Sequence, residues 1–178
     1  SNEDDSFDWT FGYQGKVQHA VIKQRANTGD RGIEADNNEF SFDAAPRSKP
    51  TLANFTMIGK GASGRGMDLR RGTGANLHNF VVTNFESYCL DVNDTATFTN
   101  AGTSATALTG QLTASSSLFD CGTTFKEDAA DPFQLTAWFA GQANNSTAAA
   151  SLSGVVNSAA VNAITPTTPT DSFFDQVG

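Results

Sequence analysis

No run of apolar residues in this 178-residue chain approaches the roughly eighteen needed to cross a membrane as a helix. Basic residues are sparse: eleven in all, only five of them lysine, with no cluster beyond Arg70-Arg71, and the net charge is −8. A nucleic-acid partner is therefore not expected. Histidine is limited to His19 and His78, which stand out of phase with each other in the repeat described below. Neither has a cysteine nearby, so neither a zinc site nor a Ser-His-Asp triad is indicated. Leu, Ile, Val and Phe total 36 residues, about a fifth of the chain and near the composition at which folding fails. Fourteen Phe and sixteen Gly argue against disorder, because disordered chains are poor in aromatics. They point instead to short packed segments separated by tight turns, either as one compact domain or as part of a longer elongated one.

The two cysteines, Cys89 and Cys121, are too few for a disulfide scaffold and too far apart for a Cys-x-x-Cys motif. They are either two buried free thiols or one bridge, which would close a loop of roughly thirty residues worth about 3 kcal/mol in an oxidising compartment. Charge divides the chain at Arg71. Residues 1–71 carry ten basic and ten acidic side chains, whereas residues 72–178 carry Lys126 against nine acids. The second half reads as an acidic, Ser/Thr/Ala-rich solvated surface.

Three segments, Val17 to Lys23, Leu52 to Ile58 and Leu77 to Thr83, read as strands bounded by turn residues. Aligned on Val17, Leu52 and Leu77, they bring His19, Asn54 and Asn79 to one position and Val21, Thr56 and Val81 to the next alternate one. A second family alternates with them: Asp30 to Ala35 and Gly64 to Leu69, with Tyr88 to Val92 as a looser member. Two strand types alternating at such a period predict an all-β solenoid, in which each coil buries its inner face against its neighbours. Coils are expected over 1–125, with Glu39 to Pro50 and Lys60 to Ser63 as projecting loops and a Thr/Ser-rich surface excursion near 94–117. Leu118 to Cys121 then returns as a strand. Residues 126–178 form a cap and tail. Its one short helix starts at Asp131 as N-cap with Pro132 at the first position, runs to about Gly141, and covers apolar surface with Phe133, Ala137 and Trp138. From Ala163 to Thr170 the chain reads as extended linker, and Asp171 to Asp175 as an aromatic anchor.

Several of these segments resemble a known family. Asp4-Asp5-Ser6-Phe7-Asp8-Trp9, Gly12 to Gln18, Gly32 to Asn38, Arg70 to Gly74, Cys89-Leu90-Asp91 and Ser172 to Gly178 are similar to the later coils of secreted bacterial right-handed parallel β-helix proteins, often lipoproteins of unknown function. The resemblance implies a right-handed parallel β-helix and a secreted, extracellular or cell-surface location, with outer-membrane association in some members. It also implies that further coils belong on either side, so that the chain is a fragment or a subunit whose N-terminal coil end is covered by a partner. The missing initiator Met fits a processed or excised chain.

Asp30 to Ala35 and Gly64 to Leu69 align at an offset of 34 residues, which places Glu34 and Asp68 side by side on adjacent coils about 4.8 Å apart, where they repel unless a cation intervenes. Arg31 and Arg65 are placed to supply that charge, and Asp36 to face Arg70. Read structurally, this is a charge ladder. Read functionally, it is a groove whose carboxylates bind Ca²⁺ and whose arginines bind an acidic sugar, as in polysaccharide lyases of this architecture. Asp4, Asp5 and Asp8 within Glu3 to Asp8 are a second calcium candidate, the alternative being a turn capped by Asp side chains. Gly59-x-Gly61-x-x-Gly64 matches a dinucleotide motif by spelling only, since a strand and not a helix is expected after it. The leading reading below requires no cofactor, and Ca²⁺ is the one candidate ion. The leading expectation is a non-enzymatic surface module for adhesion, polysaccharide binding or assembly. Its rivals are a Ca²⁺-dependent lyase and a homo-oligomeric filament subunit.

Overall fold

The computed structural model describes residues 3–61 and 64–152. The expected linker from Ala163 to Thr170 and the anchor at Asp171 to Asp175 lie outside them. The chain alternates between two parallel sheets. The first sheet stacks β1 (Phe7–Trp9), β3 (Arg31–Asp36), β5 (Arg65–Arg70), β7 (Tyr88–Val92) and β12 (Phe125–Lys126) in that order. The second stacks β2 (Lys16–Lys23), β4 (Thr51–Gly61) and β6 (Ala75–Phe85), and then both β10 (Leu112–Ser115) and β11 (Leu118–Asp120) against β6. Every pairing in these two sheets is parallel, and the expected registers hold: Val17 opposite Leu52 opposite Leu77, and Glu34 opposite Asp68.

Side chains of both sheets meet between them. Phe7, Ile33, Met67, Leu90 and Phe125 share one row of the first sheet, and Ile33, Met67 and Leu90 are fully buried. In the second sheet Phe55 and Phe80 are stacked at 4.8 Å between ring centroids. The coils approach so closely at Gly66 that a Cβ there would lie 2.2 Å from the Cys89 carbonyl oxygen, which is why this position carries no side chain.

The second sheet is bent by a ladder of left-handed residues. His19, Asn54, Asn79 and Ser116 stand one per coil with φ of 62°, 59°, 56° and 50°. Asn79 Nδ2 donates to Asn54 Oδ1 at 2.9 Å. Each residue reverses the inward and outward alternation of the strand after it. Leu77 is buried, but the next buried positions are Phe80 and Val82, so Val81 faces outward. Val21, in the same row, is 65% exposed, whereas Ile22 is buried.

Two segments depart from expectation. The Thr/Ser-rich excursion begins with a helix, α1 (Thr95–Ala101), so the chain has two helices among the described residues and not one. Asp94 caps it by accepting from Thr97 N at 2.9 Å, and Phe98 and Ala101 bury one face. Its Thr-rich sequence has poor helix propensity, so packing decides its state. A hairpin of β8 (Gly102–Ser104) and β9 (Ala107–Leu108) follows, and β10 is already part of the second sheet.

The second helix, α2, spans Leu135–Ala140 and starts later than Asp131, which instead closes a turn by accepting from Asp128 N at 2.7 Å. Its buried residues are Leu135, Trp138 and Phe139; Ala137 is exposed. Cys89 and Cys121 form a disulfide, with Cα atoms 5.5 Å apart, that ties β7 to the turn after β11. Glu39 to Pro50 is anchored by buried Asn37, whose amide donates to the carbonyls of Phe42 and Ala44, both at 2.9 Å.

Candidate functional site

In-register stacking of the first sheet lines its outward face with chemistry-bearing rows. One row runs Asp8, Glu34, Asp68, Asp91 and Lys126, four carboxylates ending in an ammonium group. A second row places Arg31, Arg65 and Tyr88 side by side, and a third sets Asp36 opposite Arg70. Asp68 and Asp91 are buried at 3% and 4% exposure.

The cations thread between the carboxylates. Arg31 reaches Glu34 at 2.8 Å and Asp5 at 3.7 Å, and also contacts Asp30 and Asp68. Arg70 grips Asp36 through Nε at 2.8 Å and reaches Glu34. Arg71, not singled out by the repeat alignment, meets the same Asp36 at 2.7 Å. Lys126 pairs with Asp91 at 2.5 Å. Arg65 does not sit between Glu34 and Asp68 as expected. It pairs with Asp30 at 3.1 Å from a side chain that is 41% exposed, because it lies near the open rim. Asp91, Lys126 and Tyr88 belong to the site as well; they escape a reading of the 34-residue offset because β7 and β12 follow at other spacings.

Electrostatics follow burial. Burial pushes the Glu34 carboxyl up to about 7 against the opposing pull of Arg70 and Arg31, with Asp5 pushing the same way. Burial also raises Asp5 and Asp8. The Tyr88 phenol is held well above its usual range by burial and by Asp68. The Asp36 carboxylate raises the Arg70 guanidinium further.

A folded-state value above the unfolded one means the native protein binds the extra proton between about pH 4.5 and 7, so Glu34 favours folding below that window and loses this contribution as pH rises through it. Urea unfolding of chelator-treated protein is expected to show a decline across that window that flattens in Glu34→Gln. An unchanged profile would mean that Arg31 and Arg70 keep Glu34 ionised throughout, against the opposing charge of Asp5 and the neighbouring Asp8 and Asp68.

Arg31, Arg65, Asp68, Arg70, Tyr88, Asp91, Asn93 and Lys126 line a cavity of about 400 Å³ on this face. Asp68 Oδ1 is buried there without a hydrogen-bond partner. A second hollow, of about 320 Å³, adjoins it through Asp91, Asn93 and Lys126 and adds Asp94, Glu127, Asp128 and Asp131. The cavity therefore has buried carboxylates in its lining and offers the more exposed Arg65 and Lys126 at its rim.

The expected calcium trio is split. Asp8 stands in the ladder beside Glu34, whereas the carboxylates of Asp4 and Asp5 meet that of Asp30. The spacing of Asp30 gave no hint of this, because the turn before β3 sets it. Elsewhere, Gly59 lies in β4, where a Cβ would come 2.3 Å from the Asn84 carbonyl oxygen, Gly61 has φ of 78°, and β5 begins at Arg65, so no helix follows the glycines. His78 Nδ1 meets Ser115 Oγ at 2.8 Å on the second sheet, and His19 is exposed.

No curated protein and no solved structure matches the chain. One family model does, that of the pectate-lyase-like β-helix domain, over residues 1–163. With strands alternating between parallel sheets and charged rows stacked across successive coils, the chain belongs to the family of pectate-lyase-like β-helix domains.

Proposed function

We propose that the outward face of the first sheet is a non-catalytic polysaccharide-binding surface of a right-handed, secreted or cell-surface β-helix. The observation that carries this reading is the way the cations are held. Arg31, Arg70, Arg71 and Lys126 are each paired with a carboxylate, which leaves none of them poised as a base, while Asp68 and Asp91 lie buried beneath them in the cavity lining. A proton-abstracting residue has to reach substrate with a lone pair to offer, and a guanidinium locked between acids is a poor one. Sugar oxygens suit the donors of Arg65, Asn93 and Lys126 that line the cavity. The disulfide fits an oxidising compartment.

The lyase reading has its own support in Arg65, which is two-fifths exposed with Asp30 as its one charged partner among the described residues. An assembly role finds support at the first coil, where β1 and β2 are the outermost strands of their sheets among the described residues, each paired there on one side.

Affinity electrophoresis on polygalacturonate and on neutral glucans, with ultraviolet absorbance followed for unsaturated products, separates these readings. Retardation without new absorbance is expected, weakened on the order of fivefold in Lys126→Ala through loss of a charged contact. Accumulating unsaturated product that disappears in Arg65→Ala would establish the lyase instead, and no retardation on any glycan would remove both.

A further inference from the structure

Two phenylalanines stand out of the surface where the chain leaves β1 and β3. Phe40 is 83% exposed and Phe11 60%, and their rings meet, with centroids 6.5 Å apart and planes 31° from parallel. Single exposed apolar residues are ordinary, but two rings held together by polar scaffolding form a shaped surface. Phe11 N donates to the Asn37 carbonyl at 2.7 Å, and Phe11 holds φ of 50°, a conformation that costs a residue with a side chain. Asn38 Oδ1 accepts from Phe40 N at 2.8 Å and from Ser41 N at 3.1 Å. Tyr13 turns back instead: a Cβ at Gly15 would come 2.1 Å from Tyr13 Oη.

The pair continues the charged face of the first sheet. Arg70 lines the cavity there and stands opposite Asp36. Arg71 meets Asp36 at 2.7 Å and Glu39 at 3.6 Å, and Glu39 is the residue before Phe40. Size bears on what covers the rings. Each aromatic side chain buries about 150–250 Å², so the pair offers at most about 500 Å², whereas a stable dimer needs about 800 Å² from each partner. One or two sugar rings match that area. A pyranose with equatorial hydroxyls carries its C–H bonds axially, so its faces are apolar and its edge polar, and the negative face of an aromatic ring attracts such C–H groups. Charge narrows the class further. Arg71 and Arg47 beside the pair are held by Asp36, Glu39 and Asp43, which favours a neutral sugar over a uronate.

We propose that Phe11 and Phe40 form a stacking platform for a neutral β-linked glucan, extending the saccharide face past the Asp36 end of the first sheet. The proposal rests on the reading of that face as polysaccharide-binding and names the sugar it takes. Ring faces of the glucan lie on the phenylalanines, and Arg71 and Glu39 meet its hydroxyl edge. The left-handed turn at Phe11 and the Asn38 turn hold the rings ready, so little order is lost on binding.

The test is affinity electrophoresis of the full chain through a soluble mixed-linkage β-glucan, with polygalacturonate in a parallel gel. Retardation by β-glucan is expected, weakened on the order of tenfold in Phe40→Ala. The urea midpoint of Phe40→Ala should equal that of wild type, because the ring is almost wholly in solvent. Phe40→Leu keeps apolar bulk without the aromatic face and is expected to bind as weakly as Phe40→Ala, whereas Phe40→Trp retains binding. Val21→Ala, at an exposed apolar residue of the second sheet, should leave binding unchanged. Loss in Phe40→Ala with Lys126→Ala unaffected supports the platform and moves binding away from the cavity. Binding that Phe40→Ala leaves intact and Lys126→Ala weakens overturns the platform while the saccharide face stands. Retardation by polygalacturonate alone does the same, and retardation by neither glycan overturns both. Full rescue by Phe40→Leu also overturns the platform, as does a Phe40-dependent dimer in sedimentation or Phe40-dependent adsorption to phosphatidylcholine vesicles in place of glucan binding.

Discussion

Arg31→Met is expected to cost about 3–5 kcal/mol of folding stability, because it strands buried carboxylates without their countercharge. The side chain is 16% exposed and contacts Asp5, Asp30, Glu34 and Asp68, the last of them 3% exposed. Methionine preserves much of the volume, so the loss reports charge and hydrogen bonding more than packing. The urea midpoint should fall well below that of wild type, and the double variant Arg31→Met with Asp68→Asn should recover a good part of the difference, since the worst-placed charge is then neutral. Arg65→Met, at a rim position 41% exposed, is expected to cost about 1 kcal/mol or less. Equal losses at Arg31 and Arg65 would mean that the ladder does not hold these coils together.

Phe80→Ala is expected to destabilise by about 3–5 kcal/mol, whereas Val81→Ala, one residue on, should stay within roughly 1 kcal/mol. Phe80 is fully buried and stacked on Phe55 at 4.8 Å between centroids, in planes 7° apart. Removing the ring opens a void that Leu77, Val82 and the neighbouring coils cannot collapse to fill, because their backbones are fixed by parallel ladders on both sides. Val81 is on the outward side of the same strand. Denaturant unfolding of the two variants measures the contrast directly. A larger loss at Val81 than at Phe80 would invert the face assignment that the left-handed ladder imposes.

That contrast marks where reading the sequence stops. The offsets of 35, 25 and 34 residues are visible in the chain because in-register parallel stacking places similar residues on one row, so the repeat is written in residue types. The same offsets put Val17 and Val21 on one face by simple alternation. The structure turns Val21 outward, because His19 adopts φ of 62° and resets the phase. Asn54 and Asn79 belong to the residue type most tolerant of that conformation, so a signal was present. His19 is of a type also enriched there, whereas Ser116 is not and adopts it where its N–H donates to the Ala143 carbonyl at 2.8 Å.

The candidate site divides in the same way. Glu34 beside Asp68 and Asp36 beside Arg70 were legible from one offset. Arg71 on Asp36, Lys126 on Asp91, and Asp30 joining Asp4 and Asp5 were not, because each depends on the length and path of a turn.

By itself, then, the sequence determined the alternation of two strand families, their registers over the first three coils, and a ladder of opposite charges on one of them. These follow from local pattern and from the spacing of coils in register. Only the tertiary structure decided that α1 exists in a Thr-rich stretch, that Cys89 and Cys121 are bridged, that the second sheet reverses its faces midway, and which carboxylate each arginine holds. A helix of poor propensity, a left-handed residue and a buried charge are each unfavourable alone, and each is stabilised by contacts from a neighbouring coil tens of residues away in sequence.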